Sequence, residues 1–142
     1  MIRKIPVELI TALLVILFVY AAFSKILEAD TFKRQMLNQP LPGALKENLF
    51  WLVTGTEIAT SILLLIKPLR YFGLMLACFL MAAFTLYVIL ILANAFAYVP
   101  CSCGGVLNSM SWQVHLIFNI FFTLLAFTGL LIERKQRPTV AT

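Results

Sequence analysis

Residues 71–93 read YFGLMLACFLMAAFTLYVILILA, with no charged residue, no histidine, no amide side chain and no proline. A helix in a soluble domain keeps a polar face, and this stretch has none to offer. Its length matches the about 20 apolar residues that cross the hydrocarbon core of a bilayer. Three further apolar runs lie around it, at 6–27, 48–66 and 111–132. Lipid offers no hydrogen-bond partners, so each run must satisfy its own backbone as a helix. The expected fold is all-α: an integral membrane four-helix bundle, forming a single domain over 1–142. The composition agrees, with 62% hydrophobic and 12% charged residues in a chain of 142 and a mean hydropathy of +0.98. Soluble domains run about 45–50% apolar and about 25% charged, and a chain this short has too little interior to hide the excess.

The net charge of +5 does not indicate nucleic acid, because the basic residues form short clusters between apolar runs rather than one binding face. Arg3, Lys4, Lys67, Arg70, Arg134, Lys135 and Arg137 collect on one side of the membrane. Lys25, Lys33, Arg34 and Lys46 fall on the other, the last three among Glu28, Asp30 and Glu47. The positive-inside rule then places both termini in the cytoplasm and the connections 28–47 and 94–110 outside. The expected location is a bacterial inner membrane, with the 94–110 connection periplasmic. The first run begins like a signal peptide, but its apolar stretch exceeds the roughly 7–15 residues of a signal core, so an anchor helix is expected. In the first outer connection, Asp30-Thr31 can cap a short interfacial helix through Leu37, with Phe32, Met36 and Leu37 on one side and Lys33 and Arg34 toward water. A plain polar loop is the competing reading.

The second outer connection carries Tyr98-Val99-Pro100-Cys101-Ser102-Cys103-Gly104-Gly105. Outside the membrane, disulfides form and persist. Two cysteines one residue apart can bridge only through a small, strained ring, and strain makes a disulfide labile to exchange. Cys101 and Cys103 are therefore the candidate redox pair. A static disulfide, a bridge to a partner subunit and a metal site compete with this reading. Zinc needs four ligands, or three and a water; His115 is the nearest additional donor, and no metal site is expected. Cys78, among Ala77, Phe79 and Leu80, reads as a small packed hydrophobe.

Glu57 lies near the middle of its run, where an ionisable group must be neutralised, paired or wetted and is a functional candidate by default. Burial favours its protonated form, and a protonated Glu57 that only hydrogen-bonds a neighbouring helix is the alternative to a functional carboxyl. Thr54, Gly55, Thr56, Thr60 and Ser61 flank it, small and hydroxyl residues that let helices approach and bond. His115 and Asn119, four apart, share a helix face. Glu57 and His115 are candidates for handling protons; Lys25, His115 and Asn119 are candidate contacts for a membrane quinone. The bland alternatives are a satisfied bundle histidine and a Lys25 that snorkels to the headgroups.

These residues resemble the DoxX-like superfamily, in particular its MauE/DoxX branch of redox-associated membrane proteins. The first helix ends Ala21-Ala22-Phe23-Ser24-Lys25-Ile26-Leu27 and runs into Asp30-Thr31-Phe32, similar to the family's aromatic-x-lysine exit. Thr54-Gly55-Thr56-Glu57-Ile58-Ala59 is similar to the family's glutamate helix, and a Cys-x-Cys-Gly-Gly loop precedes the last helix. Many members carry a Cys-x-Cys-Phe-Gly type of loop at that place. The resemblance implies a four-helix membrane bundle, maturation of disulfide-rich periplasmic proteins for MauE-like members and thiosulfate-to-quinone electron transfer for some relatives.

Two functions are expected from these features. One is a thiol–disulfide redox protein that exchanges electrons between a periplasmic thioredoxin-like or cysteine-rich partner and a membrane quinone, with no covalently bound cofactor. The other is a non-enzymatic accessory subunit of a larger membrane or envelope complex, its outer disulfide structural. A transporter fits less well, because there are no repeated halves or broken helices.

Overall fold

The computed structural model describes residues 4–37, 42–95 and 111–137, and every element longer than a turn among them is an α-helix or a 3₁₀-helix. Helix α1 spans Lys4–Leu27, α2 Ala29–Leu37 and α3 Gly43–Leu65; a 3₁₀ turn at Lys67–Leu69 leads into α4, Arg70–Leu92, and α5 spans Trp112–Gln136. Four candidate spans, α1, α3, α4 with its preceding turn, and α5, are long and apolar enough to cross a membrane.

Two boundaries differ from expectation. Helix α3 begins at Gly43 instead of near 48, and α5 runs to Gln136 instead of 132. The apolar count marks only the hydrocarbon stretch, whereas the backbone ladder continues into polar turns. The Pro42 carbonyl accepts the amides of Leu45 and Lys46, which starts α3 early. Arg134 and Lys135 occupy the last turn of α5, where cations interact favourably with the helix dipole.

Burial runs in stripes. On α1 it follows Val7, Ile10, Leu14, Phe18, Ala21 and Lys25, the three-four spacing of one helical face. On α3 it follows Phe50, Thr54, Glu57, Thr60, Ser61 and Leu64. Polar residues therefore point inward, while Ile16, Phe23, Leu52, Phe79 and Ile117 are exposed, the arrangement expected where lipid is the solvent. The apolar core joins Ile10, Leu14, Phe18, Leu64, Leu74, Ala77, Met81 and Ala126, with half-buried Cys78 packed against it as a free thiol.

The bundle has two distinct ends. At the turn end, a Cβ on Gly73 would lie 2.8 Å from the Leu64 nitrogen, so α3 and α4 meet backbone to backbone. Arg137 Nη2 donates to the Pro68 carbonyl at 3.0 Å, and its guanidinium lies 4.6 Å from the centre of the Tyr71 ring. At the loop end, Asn94 (φ 55°) closes α4, with Ala95 N–H on Leu90 O and Asn94 N–H on Ile91 O, the paired bonds of a Schellman motif. Ser111 caps α5 by accepting from the Val114 amide.

The expected short helix after α1 is present as α2. Its Phe32 is buried and packs on Phe50, ring centres 5.6 Å apart. Leu37 remains exposed, and the Met36 side chain lies outside the described ones. Lys33 is exposed but lies over the Phe50 and Trp51 rings, and Lys46 Nζ donates to the Leu37 carbonyl at the end of α2.

Candidate functional site

Lys25 stands two residues before the end of α1, where the sequence left it either a candidate site residue or a side chain reaching for headgroups. The second alternative does not hold: Lys25 is 4% exposed. In an α-helix every Cα–Cβ bond leans toward the N-terminus, so a lysine at the C-terminal end carries its stem back into the bundle. Its Nζ donates to Glu57 Oε1 at 2.7 Å, with Glu57 fully buried. The expected hydrogen bond between Glu57 and a neighbouring helix is present, and its partner is Lys25 of α1. Each member stands on the buried stripe of its own helix, where an apolar residue would ordinarily sit.

The pair is enclosed by rings. Lys25 Nζ lies 5.7 Å from the centre of Phe32 and 6.0 Å from that of Phe84, at the outer range of cation–π attraction. Helix α2 thus closes over the site, because the Phe32 that buries itself on Phe50 also faces the ammonium. Below it the hydroxyls of Thr60 and Ser61 donate to the carbonyls of Thr56 and Glu57 and so consume their own hydrogens. Gly55, which sequence reasoning placed among the residues that admit a neighbouring helix, has open space around it: a Cβ at this position would meet nothing within 4 Å. It lies on the outer face of α3 and plays no such part.

A cavity of about 30 Å³ adjoins the pair, lined by Leu17, Phe18 and Ala21 of α1, Met81 and Phe84 of α4, and His115, Phe118 and Asn119 of α5, besides Lys25 and Glu57. Its volume holds about two water-sized groups. The four residues singled out inside the membrane runs, Lys25, Glu57, His115 and Asn119, therefore converge on one place. His115 stacks on Trp112, ring centres 5.9 Å apart with 5° between planes. Two buried polar atoms beside the cavity have no hydrogen-bond partner, Glu57 Oε2 and Asn119 Nδ2. An unpaired buried acceptor or donor is costly, so these two atoms mark where a polar group from outside would be welcome.

Cys101 and Cys103, with the rest of 96–110, lie outside the described residues. Sequence reasoning missed Phe84, Phe118 and the pairing of Lys25 with Glu57. The pairing had a signal, since Lys25 continues the spacing Leu14, Phe18, Ala21 of the buried stripe. The two rings had none, being two of the 12 phenylalanines of the chain. Among the described residues no three of His, Cys, Asp or Glu gather into a metal-binding group.

Four membrane-crossing helices around a buried ion pair define a multi-pass membrane protein with a polar site inside its bundle. The family model described as methylamine utilisation protein MauE matches residues 3–132, and the chain belongs to the MauE family. No curated protein and no solved structure matches it.

Proposed function

We propose that this chain is a thiol–disulfide redox protein of a bacterial inner membrane, with both termini cytoplasmic and Cys101 and Cys103 on the periplasmic side. The observation that carries the reading is the Lys25–Glu57 pair at 2.7 Å beside a cavity that His115 and Asn119 also line. Ionisable groups inside a membrane are costly and mark function by default, and a scaffold whose task was only to hold a loop would need none. The cavity belongs to the loop end of the bundle, since His115 stands in the first turn of α5, directly after the connection that carries the cysteines.

The chemistry is a two-step exchange. A periplasmic thioredoxin-like or cysteine-rich dithiol attacks the Cys101–Cys103 disulfide, leaving the partner oxidised and both cysteines as thiols. A membrane quinone then takes two electrons and two protons from the thiols, which restores the disulfide and yields quinol. Lys25, Glu57 and His115 relay the protons, and Lys25, His115 and Asn119 contact the quinone.

The test is the reduction potential of the cysteine pair in the purified protein, together with Cys101→Ser and Cys103→Ser in cells. A potential above about −300 mV, away from inert structural disulfides, and loss of function in both variants are expected. A lower potential with both variants fully functional would overturn the reading. It would favour instead an accessory subunit with a structural disulfide, a role for which the family description, methylamine utilisation, is the supporting observation.

A further inference from the structure

Resting on that redox reading, we infer that the cavity recognises the hydroxyl of a membrane-dissolved quinol in preference to the carbonyl of the corresponding quinone. The argument starts from the two unpartnered atoms. Glu57 Oε2 belongs to a carboxylate whose other oxygen is held by Lys25 at 2.7 Å; in the ion pair it can accept and cannot donate. Asn119 Nδ2 can donate and cannot accept, and it too is unpartnered. A single oxygen that satisfies both must accept from one and donate to the other. A hydroxyl does this. A carbonyl accepts from Asn119 but sets its lone pairs against those of Glu57.

Size and walls narrow the ligand further. A volume of about 30 Å³ takes a hydroxyl and the carbon edge that bears it, not a whole ring. Phe84 and Phe118 line the same space, surfaces against which the edge of an aromatic ring packs well. Aliphatic alcohols share the hydroxyl but neither the ring nor the acidity that strengthens a bond to a carboxylate. A site that holds the reduced form more tightly shifts the bound couple toward quinol, so electrons are drawn from thiols to quinone. The polarity of the site thereby favours reduction of the quinone while it is bound.

The experiment uses the Cys101→Ser/Cys103→Ser protein in lipid nanodiscs, so that no thiol chemistry takes part, and measures dissociation constants by calorimetry. The probes are a short-tailed ubiquinol, the matching ubiquinone and decanol. The quinol is expected to bind roughly 10- to 100-fold more tightly than the quinone, the range for a hydrogen bond to a charged group, and more tightly than decanol. Glu57→Gln places an amide donor within reach of the cavity and is expected to reverse the preference toward quinone. Asn119→Leu leaves the ion pair intact and is expected to weaken quinol binding about ten-fold or more, which keeps the test decisive should Glu57→Gln fail to fold. Equal affinity for quinol and quinone overturns the inference. So does decanol binding as tightly as quinol, which makes this a site for lipid alcohols, or no binding of any probe, which leaves it to water. Because the cysteines are absent, none of these outcomes depends on the thiol-exchange potential, and a failed potential measurement leaves this result standing.

Discussion

The two ends of the bundle solve the same packing problem in opposite ways. At the turn end, small residues let helices approach closely: Gly73 sits against the Leu64 backbone, and Gly129 against the side chains of Ile10 and Leu74. At the loop end, the helices are held apart by a buried lysine, a glutamate, a histidine and rings, and a cavity remains. In a membrane there is no hydrophobic drive between helices, so association rests on close packing and hydrogen bonds. The first end spends its small residues on that packing. The second gives some of it up and leaves Thr54 Oγ1, Glu57 Oε2 and Asn119 Nδ2 unsatisfied, against Arg70 Nε at the turn end among the described residues. The contrast separates a part of the molecule that holds from a part that acts.

The largest effect should come from breaking the ion pair by one partner. Lys25→Met leaves the Glu57 carboxyl buried without its partner, and removing one partner of a buried pair costs about 3–5 kcal/mol. Lys25→Met/Glu57→Met removes both charges, and apolar replacement of a buried pair is often neutral or stabilising. Unfolding in mixed detergent should therefore rank the single variant far below the double, with the double near the parent in stability yet without function. A double variant that retained full function would make the pair a packing device and erase the difference between the two ends.

At the opposite end the glycines should follow the space around each one. For Gly73→Ala, the new methyl meets the Leu64 backbone, which has no rotamer to yield, and overpacking of this kind costs about 1–3 kcal/mol. For Gly129→Ala the nearest atom is Ile10 Cγ2 at 2.9 Å, a side-chain tip that can move, so the loss should be smaller. Gly55→Ala meets nothing within 4 Å and should gain up to about 1 kcal/mol from helix propensity. The same unfolding measurement orders the three. If Gly73→Ala were as harmless as Gly55→Ala, the close approach of α3 and α4 would not be what secures the turn end.

The same contrast explains what the sequence disclosed. Four spans were legible because hydrocarbon imposes a length and excludes charge, as residues 71–93 do throughout. The membership of the site was legible for a related reason: Glu57, His115 and Asn119 are conspicuous in apolar runs. Their convergence was not, because rotation of one helix against another depends on which small residues let them approach. For Lys25 the sequence left two readings open, because its place near a helix end suggests water while its Cβ leans inward. The start of α3 and the end of α5 were blurred where polar turns continue the ladder beyond the lipid span.

The smallest expected effect lies between the two ends, where Thr85 of α4 and Thr123 of α5 approach to 3.1 Å. At first sight this is an interhelical hydrogen bond just below the site. Each hydroxyl, however, also lies 2.6 Å from a carbonyl of its own helix, Thr85 on Met81 O and Thr123 on Asn119 O. A hydroxyl has one hydrogen to give. If both serve their own backbones, neither bonds across; if one turns across, a backbone bond is lost. The interhelical contact is thus an exchange rather than a gain. Interhelical hydrogen bonds in membranes average about 0.6 kcal/mol by double-mutant cycles, and this one should fall at or below that. The cycle of Thr85→Val, Thr123→Val and the double variant, read by unfolding, measures it directly. A coupling above about 1.5 kcal/mol, near the top of the range for such bonds, would mean that the hydroxyls bind each other first. The α4–α5 seam would then be clamped by polar contacts just as the loop end is, and the border between the packed and the polar regions would lie a turn closer to the glycines.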